Sequence, residues 1–330
     1  MQKFILVDGM NLFFRAVHSV NPSAGVDNMI GMAFHIIFNS LRKAHNDLDV
    51  DHIVLCLEGR SWRKTFEPTY KANRAVARAK LSERERETQE ILFEAFNDFC
   101  EFIATKTNIT VLQCPVAEAD DLIAFWIQSH PNDEHVIASS DTDFLQLLAS
   151  NVTMYNGIDK TISKLDGVFT DKGKPVMDKK TKLPKLTENP DYYLFKKCIR
   201  GDKTDYIFSA YPGVREKGTK SKVGIIEAYN DRETKGFSWN NFMLQKWIDQ
   251  DDIEHTVKDD YERNKVLIDL TMQPDEVKVA CAEVINEAIN KERVQNVGFS
   301  FMKFCGKWDL QRISDSATSY TGMLNVKYTV

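Results

Sequence analysis

The sequence predicts an α/β fold, a parallel sheet flanked by helices with a helical region behind it. Three observations carry this: short apolar runs alternate with longer amphipathic stretches, acidic residues follow the ends of those runs, and helical patterns take over from Asp191 onward. The runs Phe4–Val7, Ile53–Leu57, Ile109–Leu112 and His135–Ala138 read as buried strands, with Asn151–Tyr155 as a further one. Between them, Met29–Lys43 reads as a helix capped by Asp27, and Ser82–Lys106 places Ile91, Phe93, Phe96, Phe99 and Phe102 at helical spacing. Ala117–Ser129 is a third helix. The stretch Lys160–Pro190 turns to Lys, Thr, Gly and Pro, and Asp171-Lys-Gly-Lys reads as a hairpin tip. Helices are then expected over Tyr192–Arg200, Trp239–Gln250, Asp260–Thr271 and Asp275–Asn290. A boundary near 190 divides the chain into 1–190 and 191–330.

Composition narrows the class. At 330 residues, 43% apolar and 28% charged, the chain can bury a sizeable core and is not a disordered polymer. No apolar run approaches the roughly 18 residues of a membrane span, and the N-terminus has no secretory apolar stretch, so a cytosolic protein is expected. Six scattered cysteines form no Cys-x-x-Cys pair, and seven histidines show no zinc-like spacing. Any metal here is expected to bind oxygen. The net charge of −5 excludes a uniformly basic nucleic-acid coat. It is uneven, however: from Arg60 to Arg86 nine Lys/Arg face three Glu, which reads as a solvated helix or as a phosphate-binding stripe.

The acids say more. Asp8, Glu58, the trio Glu118, Asp120 and Asp121, and the pair Asp141 and Asp143 each follow an expected strand. Parallel sheets bind ligands beyond the carboxyl ends of their strands, so four strands deliver seven carboxylates to one edge. One such Asp alone is usually a turn former or a helix cap. Seven together repel one another unless cations neutralise them, and hard divalent ions, Mg²⁺ with Mn²⁺ as the alternative, are the natural counter-charge. Two such ions are the usual apparatus for displacement at a phosphodiester. Asp202 and Asp205 follow a helix end at Gly201, and Lys217, Lys220 and Lys222 surround a Gly-Thr-Lys segment where backbone N–H groups could hold a phosphate.

The order of these motifs resembles the 5′-nuclease (flap endonuclease) family. The matching segments are Val7-Asp-Gly-Met-Asn11, Trp62-Arg-Lys64, Tyr70-Lys-Ala-Asn-Arg74, Glu118-Ala-Asp-Asp121, Ser139-Ser-Asp-Thr-Asp-Phe144 and Gly201-Asp-Lys-Thr-Asp205. Together with Glu262–Leu270, they are most similar to the phage ribonuclease H-type 5′→3′ exonucleases. The likeness covers about residues 3–290 and leaves the last forty unplaced. It implies a PIN-like nuclease domain with a basic arch at about 60–90, then a helical DNA-binding domain with a helix-hairpin-helix at about 203–230. It also implies two-metal cleavage of 5′ ends or flaps of DNA and RNA·DNA, primer removal in replication among them. Carried over, Asp8, Glu58, Glu118 and Asp120 hold one ion. Asp141, Asp143 and Asp202 hold the other, with Asp121 and Asp205 in support.

Lys71 and Arg74 are expected at the scissile phosphate, sharing a helix face, with Tyr70 as a stacking platform. Arg63, Lys64, Lys217, Lys220 and Lys222 are the further nucleic-acid contacts. Glu58 stands where many members carry Asp, which points to binding through water. A monomer is expected, with a single-stranded-DNA-binding protein as a partner. Two alternatives stay open: a DNA-binding protein of this fold without catalysis, and a haloacid-dehalogenase-type phosphatase using Asp141 and Asp143.

Overall fold

The computed structural model describes residues 1–21 and 25–328. Its main sheet has seven strands: β1 (Lys3–Asp8), β2 (His52–Leu57), β3 (Thr110–Gln113), β4 (Glu134–Ala138), β5 (Val152–Asn156), β6 (Thr161–Lys164) and β7 (Gly167–Thr170). Their order is β3-β2-β1-β4-β5-β6-β7; the first five run parallel, and the last two turn back antiparallel. The strands are continuous apolar runs because helices cover both faces. Along β1 and β2, Ile5, Val7, Ile53 and Leu55 face one layer, whereas Phe4, Leu6, Val54 and Cys56 face the other.

The first layer holds α1 (Gly9–His18), α2 (Val26–Asp47) and α5 (Glu83–Lys106), the last started by a Ser82–Glu85 capping box. Two short helices, α3 (Arg63–Phe66) and α4 (Ala72–Ala79), lie between β2 and α5. The other layer begins with α6 (Ala119–Ser129). Helix α2 starts at Val26 on a Gly25 cap, so Asp27 lies in its first turn and is not the cap expected from the sequence.

Beyond 190 the chain is largely helical: α7 (Pro190–Arg200), α8 (Ile225–Asn230), α9 (Phe237–Met243), α10 (Val257–Ile268), α11 (Asp275–Ile289), α12 (Val297–Lys307), α13 (Gln311–Ser314) and α14 (Thr318–Asn325). The helix expected over Trp239–Gln250 ends early. A hairpin of β8 (Lys246–Ile248) and β9 (Glu254–Thr256) replaces its second half, because the Asp249 carboxylate accepts from the Asp251 and Ile253 N–H groups and closes a turn. Trp247, which fits helical spacing, instead stacks on His255 at 4.3 Å.

These helices divide between neighbourhoods. Phe195, Ile199, Ile225, Phe242 and Val257 form a small core of their own. Helix α11 joins the second sheet layer through Val277, Cys281 and Ile285. Helices α12 to α14 pack on α2 and α5 through Phe301, Phe304, Tyr320 and Leu324. Asn108 fastens them there by hydrogen bonds to Val294 and Asn325.

Candidate active site

The strand order reverses between β1 and β4, and the crevice at such a reversal is where parallel sheets take ligands. A cleft of about 820 Å³ opens there. Seven carboxylates line it: Asp8, Glu58, Asp120, Asp141, Asp143, Asp202 and Asp205. Lys71, Arg74, Lys196, Lys197, Arg200 and Lys203 line it too.

Several acids also serve the backbone. Asp8 accepts from the Asn11 N–H at 3.0 Å, Glu58 from Ala119 at 3.2 Å, and Asp141 from Asp143 at 2.9 Å, so each caps a helical turn while its other oxygen is left for the cleft. Asp202 and Asp205 arrive on a tight loop closed by paired hydrogen bonds between Asp202 and Ile207. Gly201 permits it: φ is +70°, and a Cβ there would lie 2.4 Å from the Ile207 carbonyl oxygen.

The electrostatics split the acids. Burial raises the Asp8 and Asp120 carboxyls, and neighbouring acids raise them further. Glu58 is pushed up to about 7 by burial and by Glu118 and Asp8. Among the described residues, no hydrogen bond or ion pair reaches the Asp120 carboxylate. On the opposite wall the Lys197 ammonium bridges Asp143 and Asp202, 2.9 Å from the latter. Burial still leaves Asp143 above its ordinary value. Hydrogen bonds from Thr204 and Lys197 outweigh burial at Asp202 and bring it down to about 2.

Four expected residues sit elsewhere. Arg63 is 1% exposed and cannot meet a phosphate. Its guanidinium pairs with both oxygens of Asp121 at 2.9 Å, reaches Glu118 at 3.1 Å, and donates to the Leu267 carbonyl. Asp121, fully buried, is consumed by that pair and by the Trp62 and Glu118 N–H groups, so it is not offered to a metal. Glu118 accepts from Arg63, from the Tyr70 hydroxyl and, at 2.6 Å, from Lys71; it lies behind Lys71, away from the cleft lining. Tyr70 is 4% exposed, so its ring is no stacking platform in this conformation.

Lys71 does line the cleft, at its back. It does not ride the α4 helix beside Arg74 but precedes it in a left-handed conformation, φ 56°. That costs about 1–2 kcal/mol for a non-glycine residue, and the surroundings over-determine it. Its N–H donates to the Asp205 carbonyl at 2.8 Å, and its ammonium lies 2.6 Å from Glu118 and 3.7 Å from Asp205. Burial disfavours the charge, yet Glu118 and Asp205 prevail and hold the ammonium pKa above its ordinary value. Arg74 reaches the same Asp205 at 2.8 Å.

Lys64, Lys217, Lys220 and Lys222 are exposed, and no ion pair among the described residues neutralises them. The backbone N–H groups expected to hold phosphate near Lys220 are already used. Glu227 accepts from Gly218 and Gly224, while Ile225 and Ile226 donate to Arg215 and Glu216. Sequence reading missed Lys197, Lys196 and Arg200, although their placement on the turns just before Gly201-Asp202 was the available signal.

Residues 3–179 match the protein family described as the 5′-3′ exonuclease N-terminal resolvase-like domain. The chain is 28% identical over 242 residues to DNA polymerase I of Rhizobium leguminosarum, covering 69% of this chain but 21% of that protein. It is also 28% identical over 234 residues to the flap endonuclease Xni of Pseudoalteromonas translucida, covering 69% of this chain and 79% of that one. A crystal structure of the bacteriophage T5 flap endonuclease, a pseudo-enzyme-product complex with DNA and metal ions, shares the fold. Its TM-score is 0.54 at 19% identity, across 95% of this chain and 100% of that one.

Proposed function

The chain belongs to the 5′-3′ exonuclease family, whose members hydrolyse phosphodiester bonds, and we propose that it is a divalent-metal-dependent, structure-specific 5′→3′ nuclease. Its substrates are 5′ ends or flaps of DNA and RNA·DNA, including the RNA primers of replication. The observation that carries this is the meeting of seven carboxylates and six Lys/Arg side chains where β1 and β4 diverge. The phosphatase alternative needs its Asp pair after the first strand; here Asp141 and Asp143 follow β4, and only Asp8 follows β1.

Among the described residues no three acidic, His or Cys groups already converge as a metal cage. The donor set nevertheless fits hard divalent ions. It is all oxygen, burial and then mutual repulsion hold Asp8, Glu58 and Asp120 toward protonation, and Lys197 already acts as counter-ion between Asp143 and Asp202. Asp8, Glu58 and Asp120 would hold an ion on one wall, and Asp141, Asp143 and Asp202 on the other. Bound there, two Mg²⁺ ions would polarise the phosphodiester and lower the pKa of an attacking water. Lys71, buried at the back of the cleft and kept charged by Glu118, stabilises the negative charge that grows on the phosphoryl oxygens. Arg74 orients the phosphate at the rim. The exposed lysines near Lys220 hold the duplex by charge alone.

The test is a panel of labelled 5′-flap, nicked duplex, RNA·DNA hybrid and a small phosphomonoester, with Mg²⁺ or EDTA. Metal-dependent release of 5′ products is expected, with the phosphomonoester untouched; no cleavage of any polynucleotide sinks the reading. Asp143→Asn and Asp202→Asn should each abolish cleavage while duplex binding survives in anisotropy. Parallel loss of binding in a folded variant would remove these two acids from the metal set.

A further inference from the structure

The charge of this chain is concentrated. Three 27-residue stretches carry net +6 (60–86), +4 (159–185) and +5 (196–222), so with −5 overall the remaining residues carry −20. The first and third supply the cleft and the loop before α8. The second has no role in the reading above. It comprises β6, β7 and the hairpin that follows, which pairs Val176 with Val168 and Asp178 with Leu183 and so thickens the free edge of the sheet.

Its eight lysines, against four aspartates, are all exposed. Among the described residues none of the eight is in an ion pair. The aspartates are partly spent. Asp171 pairs with Lys43 of α2 at 3.1 Å, and Asp178 accepts from the Lys180 and Thr181 N–H groups inside the turn. The segment then runs directly into α7, whose Tyr193, Lys196, Lys197 and Arg200 line the cleft, and Glu188 at its end pairs with Lys196. The turn at 170–174, with Lys172 and Lys174, and the neighbouring turn at Lys160 lie at the carboxyl edge of the sheet, the edge on which the cleft opens; the turn at 178–183 lies at the other end of β7. From β4 to β7 is three strand spacings, about 14 Å, or roughly four nucleotides of backbone.

We propose that this outer edge of the sheet is a phosphate-binding surface for the nucleic acid that extends beyond the cleft, with Lys160, Lys172 and Lys174 at its cleft-side turns making the backbone contacts. The proposal rests on the nuclease reading only in naming nucleic acid as the occupant. Such contacts are sequence-independent and release counter-ions, so they contribute to the salt dependence of binding.

The experiment measures anisotropy of a labelled duplex in EDTA from 50 to 200 mM NaCl, which needs no cleavage. It compares wild type with the edge variant Lys160→Asn/Lys172→Gln/Lys174→Gln, where Asn suits the left-handed φ of 53° at position 160. The slope of log affinity against log salt should become shallower by roughly 2–3, with the single-turnover rate at saturating flap substrate within about twofold of wild type. A control carrying Lys106→Gln/Lys278→Gln/Lys303→Gln, outside all three basic stretches, should keep the wild-type slope.

An unchanged slope in the edge variant overturns the proposal. That holds also if the variant self-associates, which would assign the lysines to guarding the sheet edge, or if it loses an acidic protein partner. Equal slope changes in both variants overturn it as well, since net charge alone would then be sensed, as does failure of wild type to bind at 50 mM salt. If wild type cuts none of the substrates, the nuclease reading fails while the slope comparison still decides this one.

Discussion

The basic stretch from Arg60 to Arg86 is one feature in the sequence and two regions in the molecule. Its first half, from Trp62 to Lys71, is drawn into the protein: Trp62, Arg63, Tyr70 and Lys71 are all buried. Its second half, α4 and the start of α5, buries none of its α4 residues and holds Arg78, Lys80, Arg84 and Arg86 in solvent. The difference is made by acids distant in sequence. Glu118 and Asp121 lie at the start of α6 and pair with the first half alone; Asp205, after α7, pairs with Lys71 and, in the second half, with Arg74. A run of positive charge is thus sorted by which residues find a carboxylate in three dimensions. Those that do become buried structure or part of the cleft wall; the others remain a soft electrostatic surface.

This contrast can be broken one residue at a time. The largest effect is expected from Arg63→Met, which leaves Asp121 charged and buried without its partner. Stability measured by urea unfolding should fall by about 3–5 kcal/mol, and Arg63→Met/Asp121→Leu should recover much of it. A loss below about 1 kcal/mol in the single variant would mean the pair is dispensable.

Lys71→Ala should leave unfolding nearly unchanged, because Arg63 and Tyr70 still satisfy Glu118. Its single-turnover rate should nevertheless fall on the order of 10²-fold, with affinity changing much less. Equal, small rate effects for Lys71→Ala and Lys80→Ala would reduce Lys71 to an ordinary phosphate contact. Arg74, 55% exposed in its side chain, bridges the regions. Arg74→Ala should slow cleavage roughly tenfold, the worth of one charged hydrogen bond, at under about 1 kcal/mol of stability. Lys80→Ala is expected to be the mildest: unchanged stability and rate, with binding weakened about evenly across sequences and a salt slope shallower by about one.

Much of the cleft's acidic edge was legible beforehand, because strand ends in a parallel sheet are fixed by apolar runs, and acids following them have one place to go. Asp8, Glu58, Asp141 and Asp143 are of this kind. Asp202 and Asp205 depended on the family resemblance, since a glycine turn after a helix has many uses. Arg63 and Lys71 could not be separated by local pattern. Both are cations beside an aromatic residue in one charge run, and both reach Glu118; only their other partners, Asp121 for Arg63 and Asp205 for Lys71, distinguish them. The β8–β9 hairpin was hidden because Trp239, Phe242, Met243 and Trp247 satisfy a helical period, while the deciding group, the Asp249 carboxylate, acts on its own backbone. Nor could the last forty residues be placed: their Phe301, Phe304 and Tyr320 mark an apolar face without naming the surface it covers.

That surface bears on how the protein comes into being. Helices α2 and α5 leave the ribosome early, at about 5–20 residues per second, yet the aromatic side chains that cover them, Phe301 and Phe304, arrive more than 190 residues after α5 is complete. For roughly 10–40 seconds the nascent chain holds Phe34, Phe38, Phe99 and Phe102 without their final cover. The cleft acids, all emerged by residue 205, can gather before that cover closes. The carboxyl-terminal helices act as the clasp of the fold, and the interval before they fasten is when the growing chain most needs a chaperone.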